Sequence, residues 1–402
     1  MLNIPRELIW DILLRLQLKD LIRYGCVSKA WYAFIHNQDF IKPHLESSIK
    51  TNSTRTILLH TTPSYFLSLP FDNDEKLGTA TVVRFSIPSK DPVKETTVTV
   101  GYANGLVCIR NCIDEDISYI TLWNPSIPKL KKIPIRTHEL CCLFSHSQLV
   151  DASAQHEPRA QPSPKSERLD IYGFGYDSTN DDYKLVGIIR KPADEYEVSV
   201  YSLKANSWKR IQNIPCCGFS LFAPNNHMVF SKGALSWLMW KKLHKELQYV
   251  IVTLDLTSEK YREFPIPVDR IGEIENPMLE LDALGDYLCI CINRFMDRCE
   301  AWIMKEYGVT ESWSLLYSIE AVYIIDMLYT VEFRTYKPLV FSKNGKTVLL
   351  KMSKNFKSDS LVWYDLEKKS FKQVEISGLP GLFKPTICWG SLCLLDGDPV
   401  IV

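Results

Sequence analysis

From about residue 50 onward one unit recurs: a strand, a polar turn of about five residues, then an aromatic that opens a second strand. It reads VSVYSLKANSWKRI, IVTLDLTSEKYREF, MKEYGVTESWSLLY and LVWYDLEKKSFKQV. The aromatics Trp208, Tyr261, Trp313 and Phe371 stand 53, 52 and 58 residues apart, and an earlier copy, TLWNPSIPKLKKIPI, holds Leu130 in the same place. A second marker precedes several copies, in YANGLVCI, SKGALSWL, LGDYLCIC and SKNGKTVLL, with turn glycines at Gly105, Gly233, Gly285 and Gly345. A short unit of this kind cannot bury its own faces. It must stack on its neighbours.

A period near 50 with several strands per unit predicts a mainly β fold, a kelch-like β-propeller over residues 50–402. The length available suggests about six to eight blades. The repeated aromatic then packs between blades, which assigns Trp208 and Trp313 to the core. The final run CWGSLCLLDGDPVIV can share a closing blade with early strands such as TRTILLH, joining the two ends of the ring.

The first 45 residues follow a different rule. Leu8, Ile9, Ile12, Leu13 and Leu16 recur at helical spacing, with Glu7, Asp11 and Arg15 on the opposite face. Pro5 suits a first helical turn. A second short helix is expected over Asp20–Cys26, and a third from Ser28, a good N-cap, through Trp31, Phe34 and Ile35. Three short helices make a small core and leave apolar surface for a partner.

Charge narrows the function classes. The 47 basic and 47 acidic side chains cancel, which argues against a dedicated nucleic-acid binder. The start lacks the features of a secretory leader, and no apolar run is long enough to span a membrane. The 12 cysteines form no C-x-x-C pair, so they read as small buried hydrophobes in a reducing cytoplasm or nucleus.

The N-terminal run IPRELIWDILLRLQLKDLIRYGCVSKAWYAFIHNQDFIKPHL resembles an F-box. The likeness is carried by Pro5, Glu7, Ile12, Leu13, Arg15, Leu16, Lys19, Leu21, Arg23, the Cys26-Val27-Ser28-Lys29 run, Trp31, Phe40 and His44. It departs at Ile4, where leucine is usual, and at Gln17, where a missing proline removes a constraint from the turn between helices. The repeat segment resembles the F-box-associated domain of plant F-box/kelch-repeat proteins, through YANGLVCI, LWNPSIPKLKKIP, YGFGYDSTNDDYKLV, VYSLKANSWKRI, SKGALSWL and WIMKEYGVTESW. The resemblance implies that residues 1–45 bind a Skp-type adaptor, and through it a cullin, while the propeller recruits a substrate protein for ubiquitination. It implies adaptor-binding roles for Ile4, Pro5, Leu8, Ile9, Ile12, Leu13, Leu16, Leu18, Leu21, Cys26, Val27 and Trp31.

Motifs for chemistry are missing from the sequence. Gly173 and Gly175 form a G-x-G without a third glycine or a following helix, and Asp177 to Asp182 read instead as a turn capping its own backbone. There is no nucleophile elbow, no H-E-x-x-H and no P-loop, and the eight histidines lack metal-ligand spacing. No catalytic residue, metal or cofactor is expected. Residues 145–168, rich in serine and proline, read as an exposed inserted loop. A propeller enzyme, with polar groups converging on the central channel, and an F-box interaction protein acting outside a ligase are the competing classes.

Overall fold

The computed structural model describes residues 5–51, 53, 55–61, 65–71, 79–83, 95–113, 116–127, 129–133, 170–190, 196–214, 227–243, 246–267, 278–294, 297–320, 324–325, 331–374, 376–393 and 395. The loop expected at 145–168 lies outside them. Six four-stranded antiparallel sheets form the ring, at the low end of the expected blade count. Blade I holds Arg55–Thr61 (β1), Tyr65–Pro70 (β2) and Thr81–Val83 (β3). Blade II holds Glu95–Ala103 (β4), Leu106–Ile113 (β5), Asp116–Asn124 (β6) and Lys129–Ile133 (β7). Blade III holds Asp170–Asp177 (β8), Asp182–Arg190 (β9), Tyr196–Ser202 (β10) and Ser207–Arg210 (β11). Blade IV holds Val229–Ser231 (β12), Ala234–Leu243 (β13), Glu246–Asp255 (β14) and Tyr261–Pro265 (β15). Blade V holds Met278–Leu284 (β16), Tyr287–Asn293 (β17), Arg298–Met304 (β18) and Trp313–Glu320 (β19). A two-stranded ribbon, Ile324–Ile325 (β20) with Val331–Glu332 (β21), leads into blade VI: Arg334–Phe341 (β22), Thr347–Lys354 (β23), Ser358–Asp365 (β24) and Ser370–Gln373 (β25).

Phe383–Trp389 (β26) then returns to blade I and becomes its innermost strand, pairing antiparallel with β1 from Arg55↔Trp389 to Thr61↔Phe383. The expected closing blade is therefore present, but its strand is FKPTICW, and only Cys388 and Trp389 of it belong to the final run singled out from sequence. The tail beyond β26 is held as well. Asn124, fully buried, donates from Nδ2 to the carbonyls of Ser391 (2.9 Å) and Cys393 (3.0 Å), while its Oδ1 accepts from the Ser126 N–H at 2.9 Å. The Tyr102 hydroxyl donates to the Trp389 carbonyl at 3.1 Å and accepts from the N–H groups of Gly105 and Trp389.

The repeated turn has a common physical origin. The side chain just before it accepts hydrogen bonds from the turn's N–H groups: Asp255 from Thr257 and Ser258, Asp365 from Glu367 and Lys368, Ser202 from Ala205. The chain then passes through a left-handed residue, Asn206, Glu259 or Lys369, before the aromatic. Register places each aromatic opposite an equivalent residue: Tyr201↔Trp208, Leu254↔Tyr261, Met304↔Trp313, Tyr364↔Phe371, and Trp123↔Leu130 in the early copy. These aromatics sit on the outermost strands. Trp208 and Trp313 line the cores between blades but are half-buried, because an outer strand has a neighbour on one edge only.

The core is divided into six, one part between each adjacent pair of blades. Alternation along a strand serves two of them at once: Ile57 and Leu59 of β1 face blade VI, and Leu58 faces blade II. Strands buried on both faces read as continuous apolar runs. Gly173 and Gly175 on β8 serve this packing too. A Cβ there would stand 2.5 Å from Met228 Cβ and 2.5 Å from the Phe230 ring, so the glycines let blade IV approach. The Asp177 turn behaves as expected: its Oδ1 accepts from the Thr179 and Asn180 N–H groups. It also receives Thr257 Oγ1 at 2.7 Å and pairs with Lys184 at 3.0 Å, so the turn ties blade III to blade IV. Although burial opposes it, these partners hold Asp177 well below the usual carboxylate range.

Four helices precede the ring: Arg6–Leu14 (α1), Leu18–Gly25 (α2), Lys29–Ile35 (α3) and Gln38–Thr51 (α4). Ser28 caps α3 as expected, accepting from the Trp31 N–H at 3.2 Å. The fourth helix was not anticipated. Pro43 stands within it and removes one i→i−4 bond near its exposed start, a loss made good by burying Phe40, Ile41, His44, Leu45 and Ser48 along one face. The turn at Gln17 is pinned without proline, because the buried His44 ring donates from Nε2 to the Leu16 carbonyl at 2.9 Å. Among the described cysteines seven are buried, Cys26 is exposed, and all are free.

Replacing Asn124 with alanine leaves two tail carbonyls without their donor. Loss of a buried hydrogen-bonding group costs about 1–3 kcal/mol. Denaturant unfolding should show that loss, with residues 390–393 gaining amide exchange ahead of the inner strands.

Candidate functional site

Two features carry unusual chemistry, one on the helices at one end of the ring and one along its inner strands. Every inner strand (β4, β8, β12, β16, β22 and β26) runs in the same sense, because each holds the same place in its blade. Their C-terminal ends lead into the tight turns at Asn104-Gly105, 178–181, Lys232-Gly233, Gly285-Asp286 and 342–346, and into the tail. The helices pack on this turn face. Gly390 lies so near Leu18 that a Cβ there would meet Leu18 Cδ2 at 2.9 Å, and Lys42 of α4 pairs with Asp181 of the β8–β9 turn at 2.5 Å. Leu13, Leu18, Leu21, Ile35, Phe40 and Ile41 join one core with Leu106, Phe174 and the tail's Leu392 and Cys393.

The helical residues singled out from sequence divide into two sets. Leu13, Leu18 and Leu21 are buried, Leu21 completely, and they build the helical core. Ile9, Leu16 and Trp31 are half-buried against the same core. Pro5, Leu8, Ile12, Cys26 and Val27 are exposed, with Leu8 at 54%, Ile12 at 55% and Val27 at 67%. Ile4 lies outside the described residues. Leu8 and Ile12, four apart, share one face of α1. Ile22 and Tyr24 add to the exposed apolar surface of α2 and were missed from sequence, although an apolar residue beside the inward-facing Leu21 signals an outward-facing position.

The second feature is a polar belt along the middle of the inner strands. Lys337 on β22 reaches Glu280 Oε1 at 2.6 Å and Asp282 Oδ2 at 2.5 Å, both on β16 of the neighbouring blade. Burial alone would raise the Glu280 carboxyl, but the Lys337 ammonium overrides it and holds that pKa at about 2. Lys384 on β26 donates from Nζ to the Thr99 carbonyl of β4 at 3.2 Å. His60 of β1, opposite Lys384 in register, bonds the Thr97 and Thr99 hydroxyls through its two ring nitrogens at 2.8 and 3.2 Å. Burial, reinforced by Lys384, lowers His60 to about 4, and the same causes lower His227 to about 4. No local motif marks this belt. Its signal is a charge placed inside an otherwise apolar strand, as in MLELDAL, TYKPLV and FKPTIC.

The Lys337 cluster is structural. Removing one partner of a buried ion pair costs about 3–5 kcal/mol, because the charge left behind is uncompensated. Lys337→Met should destabilise the ring by that order at pH 7. Because Glu280 is depressed from 4.5 to about 2, the wild-type advantage is present above pH 4.5 and is lost as pH falls toward 2. Urea titrations of both proteins across pH 2–7 should converge at the acid end.

Comparison with known proteins follows the same division. A family model described as the F-box domain matches residues 1–43, and one described as the F-box associated beta propeller domain matches residues 57–393. The F-box protein CPR1 of Arabidopsis thaliana is 29% identical, with the alignment covering 98% of this chain and 89% of that protein. The F-box/kelch-repeat protein At3g23880 of the same plant is 28% identical, over 86% of this chain and 89% of its own. Among solved structures, the six-bladed β-propeller lectin of Aleuria aurantia aligns with 81% of this chain and 97% of its own at 10% identity, with a TM-score of 0.38. The chain belongs to the F-box-associated β-propeller family.

Proposed function

We propose that this protein is the substrate-recognition subunit of a Skp–cullin–F-box ubiquitin ligase. The observation that carries the reading is the exposed apolar face of α1 and the α2–α3 turn, Leu8, Ile12 and Val27, standing on helices whose opposite face is sealed into the ring. Such a patch on short, well-anchored helices suits a protein partner, and the F-box match supports a Skp-type adaptor as that partner. The adaptor brings the cullin, and the ring holds a protein substrate. The chain itself performs no chemistry in this reading. It supplies proximity, holding substrate lysines at high effective concentration near the charged ubiquitin-conjugating enzyme. The assembly works in the cytoplasm or nucleus.

The buried and exposed sets give the experiment its controls. Leu13→Asp would place a charge in the helical core and unfold it, so loss of binding by that variant is uninformative. Leu8→Asp with Ile12→Asp alters only exposed positions, and the melting temperature should stay within a few degrees. Burying each side chain contributes about 1.5–3 kcal/mol, so the double variant should bind the adaptor at least about 100-fold more weakly. In cells it should leave the substrate bound and its half-life lengthened. Normal adaptor capture by the folded double variant would remove the proposal.

A further inference from the structure

We infer that Phe356, at the tip of the β23–β24 hairpin, is the anchor by which the ring grips its target protein, entering an apolar pocket on the target that carries a carboxylate at its rim. This rests on the reading of the chain as a substrate receptor and names the gripping residue and the surface it fits.

Backbone geometry singles the residue out. Asn355 and Phe356 both have positive φ, 49° and 53°, and the Lys357 N–H then donates to the Lys354 carbonyl at 2.9 Å. Two other places among the described residues put consecutive residues in the left-handed region, Asn104-Gly105 and Lys232-Gly233, and in both the second is glycine. Glycine is what such a turn favours, because a bulky side chain there is sterically strained. The fold gains little from the phenylalanine. Phe356 is 49% exposed, and its one aromatic contact among the described residues is with the half-buried Phe333, edge-on at 5.0 Å. Phe371 is exposed to a similar degree, but it lies against both Tyr336 and Tyr364. Strain held without a gain in packing points to function.

Placement and support agree with that role. The helices sit at the end of the ring where blade VI has its 342–346 turn, and β23 leaves that turn and runs to the other end. Its hairpin with β24 therefore stands away from the helices, so an adaptor on α1 and a target on Phe356 do not compete. The tip is held on both sides. The Phe333 N–H donates to Asn355 Oδ1 at 2.8 Å, and the Asn355 N–H donates to the Phe333 carbonyl at 3.0 Å. At the start of β24 the Asp359 N–H donates to the Gly381 carbonyl at 2.6 Å, and Asp359 Oδ2 accepts from the Phe383 N–H at 2.9 Å. These bonds also bring the exposed Leu382 to the same end of the blade. An aromatic on a fixed support, with apolar neighbours, is the usual make-up of a binding hot spot. Lys357, next to it and exposed, makes no ion pair among the described residues. A cation there favours a pocket with an acidic rim and rejects a basic one.

The test compares wild type, the Leu8→Asp/Ile12→Asp variant and Phe356→Gly, expressed at matched level, with protein half-lives measured across the proteome. Targets are the proteins whose half-life the wild type shortens through the proteasome and the helix variant does not. An empty set would sink the receptor reading and this assignment with it. With targets in hand, Phe356→Gly should leave their half-lives long. Purified, it should bind a target at least tenfold more weakly, yet capture adaptor normally and melt within a few degrees of wild type, because glycine suits the turn. Phe356→Tyr should bind within a few-fold of wild type, and Lys357→Glu several-fold more weakly. Undiminished target binding by Phe356→Gly would overturn the assignment while leaving the receptor reading intact. So would a melting temperature far below wild type for both Phe356→Gly and Phe356→Asn, which would make the residue structural. Phe356-dependent sedimentation with phosphatidylserine vesicles, or a Phe356-dependent dimer of the chain itself, would replace the target with a membrane or a second copy.

Discussion

The seven-residue ladder between Arg55–Thr61 and Phe383–Trp389 is the constraint on which the rest of the molecule depends. A blade buries its faces only against neighbours, so an open ring would expose two apolar faces of a full blade each. The ladder removes both. It also places β26 innermost, so Lys384 reaches the Thr99 carbonyl of blade II, and it carries the tail directly beneath the helices, where Gly390 receives Leu18. Ring closure and helix docking are one packing event. The core that Leu13, Leu21 and Phe40 join is the same one that holds Leu392 and Cys393.

That coupling gives the helices a fixed orientation on the ring. The connection through α4 has little slack, since α4 packs its buried face inward and ties Lys42 to Asp181. Hydrogen bonds from Lys42 and Tyr176 outweigh burial and hold Asp181 below its ordinary range, which keeps that tie charged at neutral pH. Whatever binds α1 is therefore held at a set distance and angle from the ring. A rigid link of this kind keeps the effective concentration of one bound group near another high, because that concentration falls quickly when the linkage wanders.

Much of this was legible in the sequence. The fifty-residue period, the turn glycines and the capped turns specified stacked blades, and the apolar run around Cys388 announced closure. Hidden parts have physical reasons. α4 carries a proline, which local rules penalise and tertiary burial overrides. The apolar residues of α1 and α2 share one spacing, so nothing local separates the inward Leu13 and Leu21 from the outward Leu8 and Ile12; only the ring's position decides. Trp208 and Trp313 were expected to be sealed and are half-covered, because period alone does not tell an outer strand from an inner one. The belt of Glu280, Lys337 and Lys384 is assembled from strands far apart in the chain, and each charge taken singly resembles an ordinary interruption.

The same ladder has a consequence for how the protein is made. Its partners are separated by more than 320 residues, so blade I, begun near residue 55, has no innermost strand until β26 leaves the ribosome. At roughly 5–20 residues per second that delay is tens of seconds, while later blades have already formed. Throughout it, β1 presents an unpaired edge rich in Ile, Leu and Thr, the kind of edge that recruits foreign strands. Contacts this distant also slow closure after synthesis. The nascent chain is therefore most open to mispairing at one identifiable place, and mutations that weaken β26 should act as biosynthetic lesions before they act as structural ones.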